Sequence, residues 1–214
     1  MVIRKKSDPN KGGPLQLGFF TPKATWELPS MSDLPSWKGA KRIAIDCETR
    51  DPSIGNELGP GDLRDGYTVG WAFAIDGGPK HYLPFRHEGG DNLPPEQVLG
   101  YLRSQVKEFT GEYVGANLSY DVGYGYADGF EWNPEAKFRD VQIADPLIYE
   151  LHMSYSLKSI GERHGIQSKD ETMLIEAARS FGLDPKKGLW RLPGKFVGDY
   201  AEQDVASPLE LLRK

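Results

Sequence analysis

Alternating apolar and polar positions predict three strands in the first half of the chain. In the first, Ile43 and Ile45 point to one face and Ala44 to the other. Two further alternating stretches are joined by Asp76-Gly-Gly-Pro79, which predicts a turn between antiparallel partners. The three predicted strands cover residues 41–49, 67–75 and 80–85.

The later pattern alternates short strands with helices and then becomes helical. A stripe of apolar residues after Pro94-Pro95 predicts a helix to about Phe109, and a Gly- and Tyr-rich segment predicts another after Asn117. The other predicted elements are strands at 113–116 and 137–141 and helices near 142–151, 156–164, 170–181 and 197–212. This order is typical of an α/β domain with helices on both faces of a mixed sheet, antiparallel in its first three strands and parallel afterwards. A crossover helix would bring the strand at 113–116 beside the first strand and parallel to it.

Residues 1–40 differ from the rest, because Gly- and Pro-containing breaks interrupt any periodicity. We expect an extended N-terminal arm over 1–40 and one domain over 41–214. The arm carries four aromatic residues that a solvated tail rarely keeps, namely Phe19, Phe20, Trp26 and Trp37. Its second half is therefore expected to lie across the domain surface.

Composition limits the function classes further. The chain has 214 residues, one cysteine and a net charge of −5. No stretch approaches the apolar length of a membrane span, and the basic N-terminus is not followed by the apolar core of a signal peptide. A single cysteine excludes an internal disulfide and fits a reducing, cytoplasmic setting. The acidic balance argues against nucleic-acid binding through a broad basic surface, but an enzyme that holds a few phosphates through metal ions stays open.

The first strand ends in a pair of acidic residues that share one face. Asp46 and Glu48 continue the period of two, roughly 6–7 Å apart along the strand, while Cys47 points the other way. Two like charges at the end of an apolar strand repel unless a cation lies between them, and oxygen ligands suit Mg²⁺ or Mn²⁺. The other interpretation is a strand end whose acids reach solvent, since about one Asp-x-Glu is expected by chance. The pair therefore needs partners elsewhere in the chain.

Two later segments supply candidate partners. Asp121 begins a helix after the strand at 113–116, at the carboxyl edge of the sheet where α/β domains form sites. Tyr200 and Asp204 lie four residues apart on the last helix and so share one face. Taken alone, Asp121 can be an ordinary carboxylate at a helix start, stabilised by the helix dipole. The spacing of Tyr200 and Asp204 is not unique in the chain either. Tyr124 and Asp128 repeat the second spacing, but Asp128-Gly129 has the character of a helix end.

Together, the three segments resemble the DEDDy group of 3′–5′ exonucleases. The motifs are Asp46-x-Glu48, Asn117-x-x-Tyr-Asp121 and Tyr200-x-x-x-Asp204, in that order. The likeness is strongest to the proofreading domain of family-A, bacterial polymerase-I-type DNA polymerases, particularly phage versions, and it covers about residues 40–212. It implies a ribonuclease-H-like fold. A sister group has a His five residues before the last Asp, where this chain has Asp199.

The resemblance implies a two-metal hydrolytic site. Two Mg²⁺ or Mn²⁺ ions would be held by four carboxylates, those of Asp46, Glu48, Asp121 and Asp204. Tyr200 would orient the attacking water, because a phenol with an ordinary pKa near 10 is a poor base at neutral pH. Thr49 and Asn117 would contact the substrate or support the site.

The loop before Tyr200 contains candidate substrate contacts. Trp190 lies among basic residues, and basic groups interleaved with an aromatic ring suit a single strand through phosphate contacts and base stacking. The basic residues are Lys186, Lys187, Arg191 and Lys195. We predict Trp190, Arg191 and Lys195 as substrate-binding residues, with a solvated basic loop as the other interpretation.

The sequence thus predicts a metal-dependent 3′–5′ exonuclease that releases nucleoside monophosphates from single-stranded or frayed DNA ends, as in proofreading during replication. Its partners would be a DNA 3′ end and a polymerase module, in the same chain or in trans, and no membrane. Its location would be the cytoplasm, or the host cytoplasm if the protein is encoded by a phage. Two alternatives stay open: a ribonuclease-D-like exoribonuclease, and a non-catalytic nucleic-acid-binding module of the same fold.

Overall fold

A computed structural model describes residues 21–166 and 169–214 of the chain. Five strands form one sheet: β1 (Arg42–Arg50), β2 (Tyr67–Ile75), β3 (Lys80–Pro84), β4 (Glu112–Gly115) and β5 (Lys137–Asp140). The α-helices of the described residues are α1 (Pro52–Gly55), α2 (Pro95–Glu108), α3 (Leu118–Ala127), α4 (Val141–Ile148), α5 (Leu157–Arg163), α6 (Thr172–Ser180) and α7 (Gly198–Leu211).

The sheet has the predicted mixed topology, with strand order β3-β2-β1-β4-β5. β1 is antiparallel to β2, and β2 is antiparallel to β3, whereas β1–β4 and β4–β5 are parallel pairs. The prediction that β4 lies beside β1 and parallel to it is confirmed. β1 therefore occupies the centre of the sheet, with β2 on one side and β4 on the other.

The pairing of β1 with β4 is short. β4 pairs with residues 42–44 of β1, whereas the antiparallel pairing with β2 continues to Arg50. Beyond Ala44 the β4 side of β1 must find other hydrogen-bond partners, because buried backbone N–H groups are rarely left unpaired. That side of the strand is where α3 approaches.

Alternation along β1 divides the core into two layers. Ile43, Ile45 and Cys47 pack on one face with apolar residues of α2 and α3, and Ala44 packs on the other with residues of α5, α6 and α7. Helices therefore cover both faces, as predicted. The face of Ala44 is also the face that carries Asp46 and Glu48, so α7 packs against the acidic end of the strand.

The described second half of the predicted arm packs against the domain. Trp37 is fully buried among aromatic residues of the α2 face, and the Trp26 indole N–H donates to Glu202 Oε1 at 2.9 Å. A Cβ on Gly198 would lie 2.0 Å from the Trp26 ring, so only glycine at the start of α7 lets this ring approach. The first half of the arm, residues 1–20 with Phe19 and Phe20, lies outside the described residues.

Some predicted boundaries differ from the structure. The segment between β1 and β2, for which no helix or strand was predicted, contains the short helix α1, because Asp51 Oδ1 accepts hydrogen bonds from the N–H groups of Ser53 and Ile54. The helix predicted to reach residue 151 ends at Ile148. Across the described ranges, no helix has the length and apolar character needed to cross a membrane.

Candidate active site

The acidic end of β1 forms one wall of the site. Asp46 and Glu48 are half-buried on the face opposite Cys47, and Cys47 is buried. The strand partners of Asp46 and Glu48 on β2 are Ala72 and Gly70. A Cβ on Gly70 would lie 2.2 Å from the Tyr82 hydroxyl, so glycine at this position makes room for the Tyr82 ring beside Glu48.

Helix α7 supplies the opposite wall. Tyr200 and Asp204 lie one turn apart on the face that packs on the sheet, and Asp204 is buried. One carboxylate oxygen from each of Asp46, Glu48 and Asp204 lies within 4.8 Å of the others. Residues that are far apart in sequence therefore converge at one place in the fold.

Asp121 approaches the same strand from the β4 side. Its Oδ1 accepts a hydrogen bond from the backbone N–H of Cys47 at 2.8 Å. The carboxylate of Asp121 is buried, and burial together with the charge of Asp46 raises its pKa well above the ordinary value. Asp121 is therefore an electrostatic neighbour of Asp46, although it is not one of the three residues whose oxygens cluster.

Asp140 fixes the start of the helix that carries Asp121. The backbone N–H groups of Asn117 and Leu118 donate to Asp140 at 3.1 and 2.8 Å. The same carboxylate accepts from Gln142 and Ile143 at the start of α4. Asn117 adopts a left-handed conformation with φ 61° and is exposed. Asp140 thus joins two helix starts at the edge of the site.

Lys169 lies at the site, although no sequence pattern predicted it there. Its ammonium forms an ion pair with Asp204 Oδ1 and lies 4.8 Å from the centroid of the Tyr200 ring. Its side chain is 17% exposed. No motif pointed to it, because a single lysine between two helices has no spacing that relates it to the acidic residues.

Burial and mutual repulsion dominate the electrostatics of the cluster. Burial raises the pKa of Asp46, and the Lys169 ammonium opposes that rise. Burial and the charge of Asp46 raise the pKa of Glu48, again opposed by Lys169. The pKa of Tyr200 is raised by burial and by the Glu48 and Asp46 charges, so its phenol keeps its proton. A cluster of buried, mutually repelling carboxylates favours the binding of a cation.

The donor set fits a hard divalent cation. Magnesium binds oxygen at about 2.0–2.1 Å, so oxygens around one ion lie up to roughly 4.2 Å apart, and the cluster requires only a small closure. Asp204 Oδ1 is buried and receives no hydrogen bond of normal geometry, which leaves it available as a ligand once its ion pair with Lys169 opens. The cluster consists only of carboxylates, which are ligands of the kind that Mg²⁺ and Mn²⁺ prefer.

The predicted substrate residues near the end of β1 occupy different environments. Thr49 Oγ1 lies 2.7 Å from the Tyr120 hydroxyl, which in turn donates to Asp51. Trp190 is half-buried, and the Arg50 guanidinium lies 5.2 Å from the centroid of its ring. Arg50 is therefore a further basic residue at this end of the site.

Two of the predicted basic residues in the loop before α7, Arg191 and Lys195, form ion pairs. Arg191 is buried, and its guanidinium donates to Glu88 at 3.0 Å. Lys195 is half-exposed and pairs with Asp91 at 3.1 Å. Arg191 therefore holds the loop in place through the ion pair of its buried guanidinium with Glu88, whereas the sequence suggested that it contacts the substrate at the surface.

No family model matches the chain. A relative from Pseudomonas phage M6, named DNA-directed DNA polymerase, is 57% identical over 198 residues, which are 92% of this chain and 30% of that protein. The chain is homologous to part of a phage DNA polymerase. Because it spans less than a third of that polymerase, most of the relative lies beyond the shared segment.

Solved structures share the fold of this chain. Trypanosoma brucei RNase D has a TM-score of 0.57 at 17% identity, over 83% of this chain and 58% of that one. Brucella melitensis NrnC with bound Mg²⁺ has a TM-score of 0.50 at 16% identity, over 84% of this chain and 75% of that one. At these identities the likeness shows the fold, which is the predicted ribonuclease-H-like fold. The predicted resemblance to a phage DNA polymerase is confirmed by the 57% identical relative, and the two solved nuclease structures share the predicted fold.

Proposed function

We propose that the chain is a metal-dependent 3′–5′ exonuclease that hydrolyses single-stranded or frayed DNA 3′ ends to nucleoside monophosphates. The observation that carries the proposal is the convergence of Asp46, Glu48 and Asp204 oxygens within 4.8 Å, with Asp121 against the same strand. A buried cluster of carboxylates is costly without a cation, so its presence favours catalysis over a non-catalytic binding module.

Four carboxylates are proposed to hold two divalent ions, Mg²⁺ or Mn²⁺. Asp46, Glu48 and Asp204 would provide the clustered oxygens, and Asp121 would complete the set from the β4 side. The bound Mg²⁺ of the NrnC structure, which shares the fold, supports this choice of ion. Bound ions would neutralise the phosphate and acidify a water molecule.

Tyr200 is proposed to orient the attacking water by a hydrogen bond. Its phenol lies on the face of α7 that also carries Asp204, and burial together with the nearby acids raises its pKa and keeps it protonated. A protonated phenol donates a hydrogen bond and cannot accept the proton of the water. Tyr200 is therefore assigned a positioning function, as expected for the tyrosine group of these exonucleases.

Substrate contacts are proposed along the carboxyl end of β1. Thr49 and Asn117 would contact the terminal nucleotide, and Trp190 offers a half-buried ring for base stacking beside Arg50. Lys195 would reach a phosphate by exchanging its contact with Asp91. Arg191 is assigned to holding Trp190 in place, because its guanidinium is buried against Glu88.

The polymerase relative favours DNA as the substrate and proofreading as the role. The remaining length of that relative also motivates a polymerase module as partner, in the same chain or in trans, and phage coding would place the protein in the host cytoplasm. Fold likeness to RNase D supports the second candidate, an exoribonuclease. Contacts near the 2′-hydroxyl distinguish the two substrates.

The test is release of labelled mononucleotides from matched DNA and RNA oligonucleotides with Mg²⁺, with EDTA and with the variant Asp46→Asn. We expect stepwise shortening of DNA from the 3′ end that EDTA and the variant both abolish. Faster degradation of RNA would identify the exoribonuclease. Absence of hydrolysis of both substrates would contradict the proposal.

A further inference from the structure

Lys169 brings a positive charge into the carboxylate cluster. Its ammonium pairs with Asp204 Oδ1, and its charge acts on both Asp46 and Glu48. The ammonium nitrogen lies 4.8 Å from the centroid of the Tyr200 ring, so the lysine contacts both Tyr200 and Asp204 of α7. Its half-buried position reduces the competition from water that weakens surface ion pairs.

The pairing uses an oxygen that a metal ion needs. Asp204 Oδ1 belongs to a buried carboxylate and has no hydrogen bond of normal geometry. A divalent ion bound at about 2 Å from this oxygen would lie within a few ångströms of the ammonium, and the two cations would repel. The ion and the ammonium therefore compete for one ligand atom.

We propose that Lys169 is the counterion of the metal-free site and that its ammonium leaves Asp204 when a divalent ion binds. This inference rests on the proposed metal-dependent function. Lys169 stabilises the folded chain without metal, because it offsets the repulsion among Asp46, Glu48 and Asp204. It also lowers metal affinity, because the ion must displace it. The lysine thus allows the acidic cluster to fold before any metal is present.

The first test uses the unaltered protein. Lysine side chains are acetylated with an amine reagent in EDTA or in Mn²⁺, and the labelling rate of Lys169 is followed by mass spectrometry. We expect slow labelling in EDTA and faster labelling in Mn²⁺, with Lys107 unchanged as an exposed reference lysine. An equal rate for Lys169 in both conditions would overturn the proposal.

The second test removes the charge. Lys169→Met should lower the melting temperature in EDTA and tighten Mn²⁺ binding about fivefold by calorimetry, because a competing cation is lost. Lys169→Arg should retain the stability in EDTA. Lys107→Met is the matched control, since it removes an exposed pair with Glu131 remote from these acids, and it should leave Mn²⁺ affinity unchanged. Unchanged or weaker Mn²⁺ binding by Lys169→Met would contradict the competition.

The two proposals fail in different ways. If the unaltered protein binds Mn²⁺ but degrades no oligonucleotide, the proposed function fails and the competition is still measured. If the protein degrades oligonucleotides and Lys169 responds to neither Mn²⁺ nor its own substitution, the counterion proposal alone fails. Absence of Mn²⁺ binding overturns both.

Discussion

The carboxylate of Asp121 accepts the backbone N–H of Cys47, at 2.8 Å, between the two acidic residues of β1. This bond satisfies a strand group that the short β4 leaves unpaired, and it ties the second acidic motif to the first. Asp121 therefore combines a structural bond with a negative charge beside Asp46. The two contributions can be separated by substitution.

Asp121→Asn should retain the fold and lose metal affinity, because an amide oxygen can still accept from Cys47 but carries no charge. Asp121→Ala should in addition lose about 1–3 kcal/mol of unfolding free energy, since a buried N–H is left unpaired. Urea unfolding in EDTA and Mn²⁺ calorimetry measure the two effects. Equal metal affinity in Asp121→Asn and the unaltered chain would exclude Asp121 as a ligand.

Asp46→Ala should abolish nearly all turnover and leave the metal-free fold intact or slightly more stable. Loss of a ligand that positions a catalytic ion removes several kcal/mol of transition-state stabilisation, or about 10³-fold in rate for ~4 kcal/mol. Relief of repulsion with Glu48 accounts for the retained stability. Mononucleotide release and melting in EDTA check the two parts. Undiminished turnover would show that Asp46 is not part of the site.

Tyr200→Phe should reduce turnover about 10²-fold with little change in Mn²⁺ affinity. The ring and its packing are preserved, and only the hydroxyl that is proposed to orient water is removed. Single-turnover hydrolysis and calorimetry separate rate from metal binding. Loss of metal binding in this variant would make Tyr200 a ligand and would refute the positioning role.

The metal-free protein should lose stability as pH rises from about 5 to about 8. The pKa of Asp46 is raised from 3.8 to about 6 and that of Glu48 from 4.5 to about 8, so the folded chain binds more protons than the unfolded chain in this window. The free energy of unfolding then falls as pH rises. Its slope against pH is proportional to the number of protons bound by the unfolded chain minus the number bound by the folded chain, and this difference is negative here.

Glu48→Gln provides the control for this pH effect. The variant should show a smaller decline of melting temperature in EDTA over the same pH range, since the neutral amide does not titrate. Saturating Mn²⁺ should also reduce the decline in the unaltered protein by holding the carboxylates ionised. If Glu48→Gln and the unaltered chain show the same pH profile, Glu48 is not the source of the decline in stability.

Asp128→Ala should destabilise the fold by about 3 kcal/mol without changing Mn²⁺ affinity. Its buried carboxylate accepts from Thr68 Oγ1 at 2.6 Å and from the Trp71 indole at 2.8 Å, and it pairs with Arg86. Removal leaves two buried donors unpaired, at roughly 1–3 kcal/mol each. Urea unfolding measures the loss. A changed metal affinity would contradict the purely structural role of Asp128.

The sequence alone determined the strands, the helices other than α1, and which side chains of β1 and α7 share a face. Period-two alternation placed Asp46 and Glu48 on one face of β1, and the four-residue spacing placed Tyr200 and Asp204 on one face of α7, because these periods are local properties of strands and helices. The motif order also predicted the resemblance, and the strand succession predicted the mixed sheet. These inferences needed only local periods, the spacing of the motifs and the order of motifs and elements along the chain.

Only the tertiary structure decided which charges pair. Lys169 and Arg191 are single basic residues without diagnostic spacing, yet one enters the carboxylate cluster and the other is buried against Glu88. The short β1–β4 pairing likewise decided that Asp121 bonds the backbone of Cys47. Such contacts join residues far apart in sequence, so they depend on how the helices pack on the sheet and leave no periodic signal along the chain.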